Sequence, residues 1–236
     1  MEENQSVMDV RVAVSSPKLR KRLFFRRKEV WTLSPLGWLT ATGLLLAMGL
    51  VCFFGVHPFL AVTQRAPSAS VLVVEGWIPD YALVEGWKEF QRGHYRLLLV
   101  TGVRGRDGAG MDDNDTYAGW GAERLQKLVG QHKEIIPVPA FEAPRDRTYT
   151  SAAALGAWLA RHHDPATAIN VVTMTAHSRR SRLMFEKALG PRIDVGVIAV
   201  TNKDYDSSHW WRYSEGVKEV LSEGAAYVYA RLFFYP

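Results

Sequence analysis

Thr173-Met174-Thr175-Ala176-His177-Ser178-Arg179-Arg180 gathers hydroxyls, an imidazole and two guanidinium groups directly behind an apolar run, residues 169–172. A helical pattern follows through Leu183, Met184, Phe185, Ala188 and Leu189. Polar groups at the end of a buried strand and the start of a helix are suited to anion chemistry. The first helical N–H groups lack internal partners, and a guanidinium beside them favours phosphate or carboxylate. An imidazole there can act as base, acid or hydrogen-bond donor. At about 100° per residue, Arg180 lies about 60° from His177, whereas Arg179 and Arg182 fall roughly opposite. His177 and Arg180 can therefore share one target, and Arg179 and Arg182 are expected in solvent; a histidine that only caps the helix is the alternative.

Other candidates follow the remaining apolar runs. Glu75, directly after a strand and beside Gly76, is placed to face a crevice as general base, metal ligand or hydroxyl acceptor, or else to pair with an arginine. Thr101-Gly102 ends the next run. Arg147-Thr148 precedes a helix and offers either a second anion contact or an ordinary cap. With Thr175 and Ser178 these residues complete the candidate ligand-binding set, and Glu75 and His177 are the candidates for proton transfer. The acidic cluster at 112–115 reads as a helix cap rather than a cation site. The glycines at 102–110 fit neither a dinucleotide fingerprint nor a Walker spacing, and HExxH, CxxC and GxSxG are absent. His162, His163 and His209 lack metal-ligand spacing. No metal site is expected and no cofactor is identified.

A regular scaffold must position these groups. Runs at 71–74, 97–100, 135–138, 169–172 and 195–198 are short, β-rich and nearly all apolar. Between them, residues 79–92, 116–129 and 148–161 each carry one apolar stripe at helical spacing. The alternation predicts a Rossmann-like α/β fold, a parallel sheet of about five strands with helices on both faces and right-handed crossovers. A final helix is expected from Trp210 to about Phe233. In such a sheet the segments after the strands converge on one edge, and ligands bind there.

The segment at 36–56 contains no charged residue and is long enough to cross a hydrocarbon core, which takes roughly 20 residues. It is too long for the apolar core of a signal peptide, and a buried core helix would be amphipathic, so it reads as one N-terminal transmembrane helix. Eight basic residues against four acidic ones precede it, which keeps the N-terminus cytoplasmic and sends the remainder across the membrane. That tail also accounts for the chain's basic balance. The rest carries 21 basic and 20 acidic residues, so nucleic acid is not an expected partner. The organisation is a basic cytoplasmic tail at 1–35, an anchor and exit at 36–62, a linker at 63–69 and an extracytoplasmic domain at 70–236. The only cysteine, Cys52, falls in the anchor, leaving the domain without disulfides.

A strand with a turn, a strand ending in Thr101-Gly102, a helix opened by Arg147-Thr148 with Ala152, and the segment 173–180 resemble, in this order, the SanA/ElyC/YdcF-like family of bacterial envelope proteins. The resemblance covers about residues 70–200. It implies a Rossmann-like fold tethered to the inner membrane by one helix, a role in envelope or peptidoglycan-related biogenesis around lipid-carrier metabolism, and a polar pocket at Gly76, Thr101, Gly102, Arg147, Thr148, His177 and Arg180. The sequence departs from the family at Glu75-Gly76-Trp77, where many members have a glycine-rich turn. The expected function is binding, with hydrolysis or group transfer, of an anionic, phosphate-bearing cell-wall or lipid-carrier precursor. Arg147 and Arg180 would hold the anion, while Glu75 or His177 moves the proton. The alternative is a noncatalytic ligand-binding or scaffolding protein of the envelope. The expected partners are the lipid bilayer, through residues 36–62, and an anionic small molecule or lipid-linked precursor.

Overall fold

The computed structural model describes residues 31–105, 116–140 and 146–236. The elements are α1 (Pro35–Leu60), β1 (Val71–Glu75), α2 (Asp80–Arg92), β2 (Leu97–Val103), α3 (Tyr117–Val129), β3 (Ile135–Ala140), α4 (Arg147–Arg161), β4 (Ala168–Met174), α5 (Ser178–Leu189), β5 (Asp194–Val200), a 3₁₀ turn (Ser207–Arg212) and α6 (Ser214–Leu232). Helix α1 is apolar on every side and is long and apolar enough to cross a membrane. The chain divides into two compact units, Met1–Ala47 and Met48–Pro236.

The five strands form one all-parallel sheet in the order β3-β2-β1-β4-β5. Strands β1 and β4 are buried along their whole length, as strands covered on both faces must be. Successive side chains alternate between faces. Leu72 and Val74 join Ile78, Leu83, Trp87 and Leu125 under α2 and α3, whereas Val71 and Val73 join Leu155, Leu159 and Phe185 under α4 and α5. Full burial of each such side chain contributes ~1.5–3 kcal/mol, so the two layers hold the strand ends firmly in place. The order reverses between β1 and β4, where Val74 pairs with Val172. This is the switch point at which a crevice forms outside the strand ends.

One element differs from the sequence expectation. The last helix does not run on from Trp210; Trp210 and Trp211 lie in the 3₁₀ turn, and α6 starts at Ser214. His209 leaves helical geometry, with φ −131°. The turn folds so closely over α6 that a Cβ on Gly216 would lie 2.4 Å from the Trp210 carbonyl oxygen. The 63–69 segment is more than a spacer, because Gln64 and Val197 exchange two backbone hydrogen bonds of 2.8 Å. It thus runs antiparallel to β5, from the strand-end edge toward the start of β1.

Candidate functional site

β1 delivers Glu75 to the switch point, where it is 3 % exposed. Two hydroxyls satisfy one of its oxygens: Thr173 Oγ1 and Ser181 Oγ both donate to Oε2, the latter at 3.1 Å. His177 Nε2 lies 3.5 Å from the same oxygen, an ion-pair separation rather than a hydrogen bond. On the other side of the ring, Nδ1 is 3.0 Å from Glu223 Oε1. Arg180 grips Glu223 with both ends of its fork, Nε to Oε2 at 2.7 Å and Nη2 to Oε1 at 3.0 Å. Nη2 and Nδ1, 2.9 Å apart, thus converge on one carboxylate oxygen. Trp77 closes the side of the cluster, its ring 5.0 Å from the imidazole and nearly perpendicular to it.

Charge sets the protonation of this group. Burial opposes a charged His177, but Glu75 and Glu223 on either side outweigh it and raise its pKa to about 9. Burial likewise pushes the Glu223 carboxyl up, yet His177 and Arg180 hold it down at about 2. The fully buried Glu75 carboxyl follows the same balance and is net lowered, chiefly by the positive charge of His177. At neutral pH the four groups are therefore an imidazolium, a guanidinium and two carboxylates, a neutral tetrad.

A cleft of about 240 Å³ opens over this tetrad, with Trp77, Tyr117 and Val103 as its apolar and aromatic walls. Its polar lining is His177, Arg180 and Glu223 together with Arg147, Thr148 and Ser151. Arg147 is the first residue of α4, is exposed, and has no ion-pair partner among the described residues. The amides of Arg147, Thr148 and Tyr149 precede the first α4 hydrogen bond, from Thr150 N to Asp146 O, and have no backbone partner among the described residues. Asp146, the residue before α4, takes a left-handed conformation with φ 51°, unusual for a non-glycine residue. A second cleft of about 280 Å³ shares Trp77, His177 and Glu223 with the first and adds Asp204 and Glu219.

The candidate residues divide by position. Gly102, Arg147, Thr148, His177 and Arg180 line the cleft, and Glu75 lies beneath its floor. Gly76 and Gly102 serve close packing of α3. A Cβ on Gly76 would be 2.1 Å from the Tyr117 carbonyl oxygen, and one on Gly102 would be 2.6 Å from Ala118 N. Thr101 is buried, and its hydroxyl has no hydrogen-bond partner among the described residues. The Thr175 hydroxyl donates to Val200 O at 2.9 Å and accepts from Asn202 N at 2.7 Å, fixing the chain after β5. Ser178 Oγ donates to Leu60 O at 3.0 Å and accepts from Val62 N at 2.9 Å. His177 precedes α5 but its side chain makes no cap bond. Arg179 stacks over Phe59, and Arg182 pairs with Glu186 at 2.8 Å, so neither enters the cleft. The glycines at 108 and 110, the 112–115 cluster, Glu142 and Arg145 lie outside the described residues.

Sequence reasoning missed Glu223, Tyr117 and Ser151, and named Trp77 only as part of the turn after the first strand. Glu223 stands one helical turn after Glu219, whose carboxylate accepts from Ala176 N at 3.2 Å and from Asn202 Nδ2 at 2.7 Å. The i, i+4 spacing of two glutamates on the last helix was visible, but Glu215 and Glu219 share that spacing, so it singles out nothing. Among the described residues no group of three His, Cys, Asp or Glu side chains could hold a metal ion. Comparison with family models, with curated proteins and with solved structures gives no match.

Proposed function

We propose that this is a single-pass, inner-membrane-anchored protein of the bacterial envelope whose extracytoplasmic α/β domain binds an anionic, phosphate-bearing cell-wall or lipid-carrier precursor in the cleft. The observation that carries this reading is Arg147, a cation at the start of α4 with no ion-pair partner among the described residues, over a tetrad already neutral in itself. The first α4 amides and the Thr148 and Ser151 hydroxyls supply donors that a phosphate accepts. The aromatic walls suit an attached sugar. The apolar helix α1 and the basic tail before it support the anchor and its orientation. If the cleft hydrolyses or transfers its ligand, His177 is the proton donor, because with a pKa of about 9 it is protonated at neutral pH, and Glu75 beneath stabilises that charge.

A specific observation favours a second reading, a noncatalytic ligand-binding or scaffolding protein. Arg180 is bidentate on Glu223 and both ring nitrogens of His177 face carboxylates, so their bonding capacity is directed inward. One experiment separates the two. Full-length protein in detergent is titrated with glucosamine phosphate and with a short-chain polyprenyl phosphate, and release of inorganic phosphate is followed in parallel. Saturable binding that Arg147→Ala weakens by about tenfold or more, the loss of one charge-assisted contact, supports the anion site. Phosphate release abolished by His177→Asn would establish catalysis, binding without release supports the second reading in its ligand-binding form, and no binding of either probe refutes the anion site. Alkaline phosphatase fused after Pro236 is expected to be active if the domain lies outside the cytoplasm.

A further inference from the structure

We propose that the strand-end edge of the domain rests on the lipid bilayer, with the 3₁₀ turn Ser207–Arg212 seated at headgroup depth. The proposal rests on α1 being a membrane anchor, and it adds where the cleft lies relative to the membrane.

The end of α1 is fastened to the start of α5. Ser178 Oγ bonds both Leu60 O and Val62 N, while Arg179 Nε donates to Phe59 O and its guanidinium stacks 4.1 Å from the Phe59 ring. Ser178 follows His177 directly, so the cleft floor lies one residue from the point where the chain leaves the helix. The edge of the sheet that carries the site is therefore the edge next to the anchor.

The 3₁₀ turn then follows α1 back toward its membrane-spanning part. Trp210 and Trp211 each lie 5.2 Å, centroid to centroid, from Phe53, and Trp211 lies 5.3 Å from Phe54. Phe53 precedes Leu60 by seven residues, about 10 Å along a helix. Counting roughly 20 residues for the hydrocarbon from Leu36 places its edge near Val56, beside these tryptophans. Phe54, Phe59 and Tyr213 remain 55 %, 47 % and 41 % exposed, and Arg212 next to Tyr213 is exposed as well. Trp210 itself is buried, so the part of the turn that can meet headgroups is the half-buried Trp211 with the exposed Arg212 and Tyr213; tryptophan and tyrosine concentrate at membrane interfaces, and arginine there meets anionic headgroups. Continuity with α1 identifies the occupant of this aromatic surface as lipid. An anionic group carried on a lipid would then reach the cleft without leaving the membrane surface.

The test uses full-length protein in a Cys52→Ser background, with single cysteines at Leu45, Tyr213 or Arg161 carrying an environment-sensitive fluorophore, in phosphatidylcholine–phosphatidylglycerol vesicles with or without brominated lipid. Leu45 reports on α1, and Arg161, the last residue of α4, reports on the opposite edge of the sheet. The Tyr213 side chain is exposed and makes no cap bond, so its replacement is expected to leave the fold in place, which circular dichroism of the labelled protein checks. The Leu45 and Tyr213 labels are expected to lose most of their emission and the Arg161 label to keep it. Quenching at Leu45 without quenching at Tyr213 overturns the docked edge and leaves the anchor standing. Equal quenching at Tyr213 and Arg161 also overturns the docked edge. No quenching at Leu45 removes the anchor, and the proposal with it.

Discussion

Glu223→Gln keeps the shape of the side chain and removes the charge that faces both His177 and Arg180. Its carboxyl pKa falls from an ordinary 4.5 to about 2, and at roughly 1.4 kcal/mol per unit this amounts to about 3 kcal/mol of native-state stabilisation. That agrees with the ~3–5 kcal/mol typical of breaking a buried ion pair by removing one partner. The depressed pKa means the contribution is complete above about 4.5 and is lost as pH falls through about 2. The raised pKa of His177 sets the other limit. Its share of the pair is complete below 6.5 and is lost as pH rises through about 9. Because the two shifts describe the same interaction, they are not added. Urea unfolding of the full-length protein in detergent, followed by tryptophan fluorescence, is expected to give a gap of about 3 kcal/mol between wild type and variant at neutral pH. The gap should narrow toward pH ~3.5 and again above pH ~9, where only the Arg180 contact remains. A gap that does not change with pH, or one below about 0.5 kcal/mol as for an ordinary surface substitution, would refute the tetrad as the holder of His177.

Three further outcomes are expected. NMR titration of the His177 ring in the full-length protein should show it protonated through neutral pH with a midpoint near 9, moving down in Glu223→Gln, where one of the two flanking carboxylates is gone. Gly76→Ala should cost ~1–3 kcal/mol or more in thermal or urea unfolding, since the added methyl meets the Tyr117 carbonyl backbone rather than a flexible side chain. Arg147→Ala should change stability by no more than ~0.5 kcal/mol, because Arg147 is exposed and has no ion-pair partner among the described residues, so its effect on ligand binding is read without a folding defect.

The strands were legible because burial on both faces leaves a continuous apolar run, as in Leu72-Val73-Val74, and the helices because each keeps one apolar stripe. The break between Trp210 and Ser214 was not, since it depends on the close approach of Gly216 to the Trp210 backbone, a contact made in three dimensions. At the site, Glu75, His177 and Arg180 stood out because each follows a strand directly or lies within a turn of a helix start. Thr175 and Ser178 occupy the same stretch, yet their hydroxyls are engaged by Val200, Asn202, Leu60 and Val62, partners that local sequence cannot name. Glu223 illustrates the same limit from the other side. It lies 46 residues from His177 on a helix that also carries Glu215 and Glu219, and only the packing of α6 against α5 selects it.

The tetrad also bears on whether this edge evolved for stability alone. Four buried or half-buried charges carry a desolvation cost, and an apolar cluster of the same volume is often as stable or more so. A purely structural network would be expected to close completely, because each buried unpaired donor or acceptor costs about 1–3 kcal/mol. Here four buried polar atoms lack a hydrogen-bond partner among the described residues, His177 Nε2 and Thr101 Oγ1 at this edge and Ser207 Oγ and Trp210 Nε1 in the 3₁₀ turn, and Asp146, next to Arg147, holds a left-handed backbone. Two of these four atoms lie at the strand-end edge, where Arg147 also has no ion-pair partner among the described residues. Departures from local optimum of this kind are expected where binding, rather than folding, sets the residues. On the proposed anion-binding reading the neutral tetrad would serve as a rigid floor: His177 and Arg180 are held in one orientation by Glu75 and Glu223, and Arg147 would provide the attraction that brings an anion onto them.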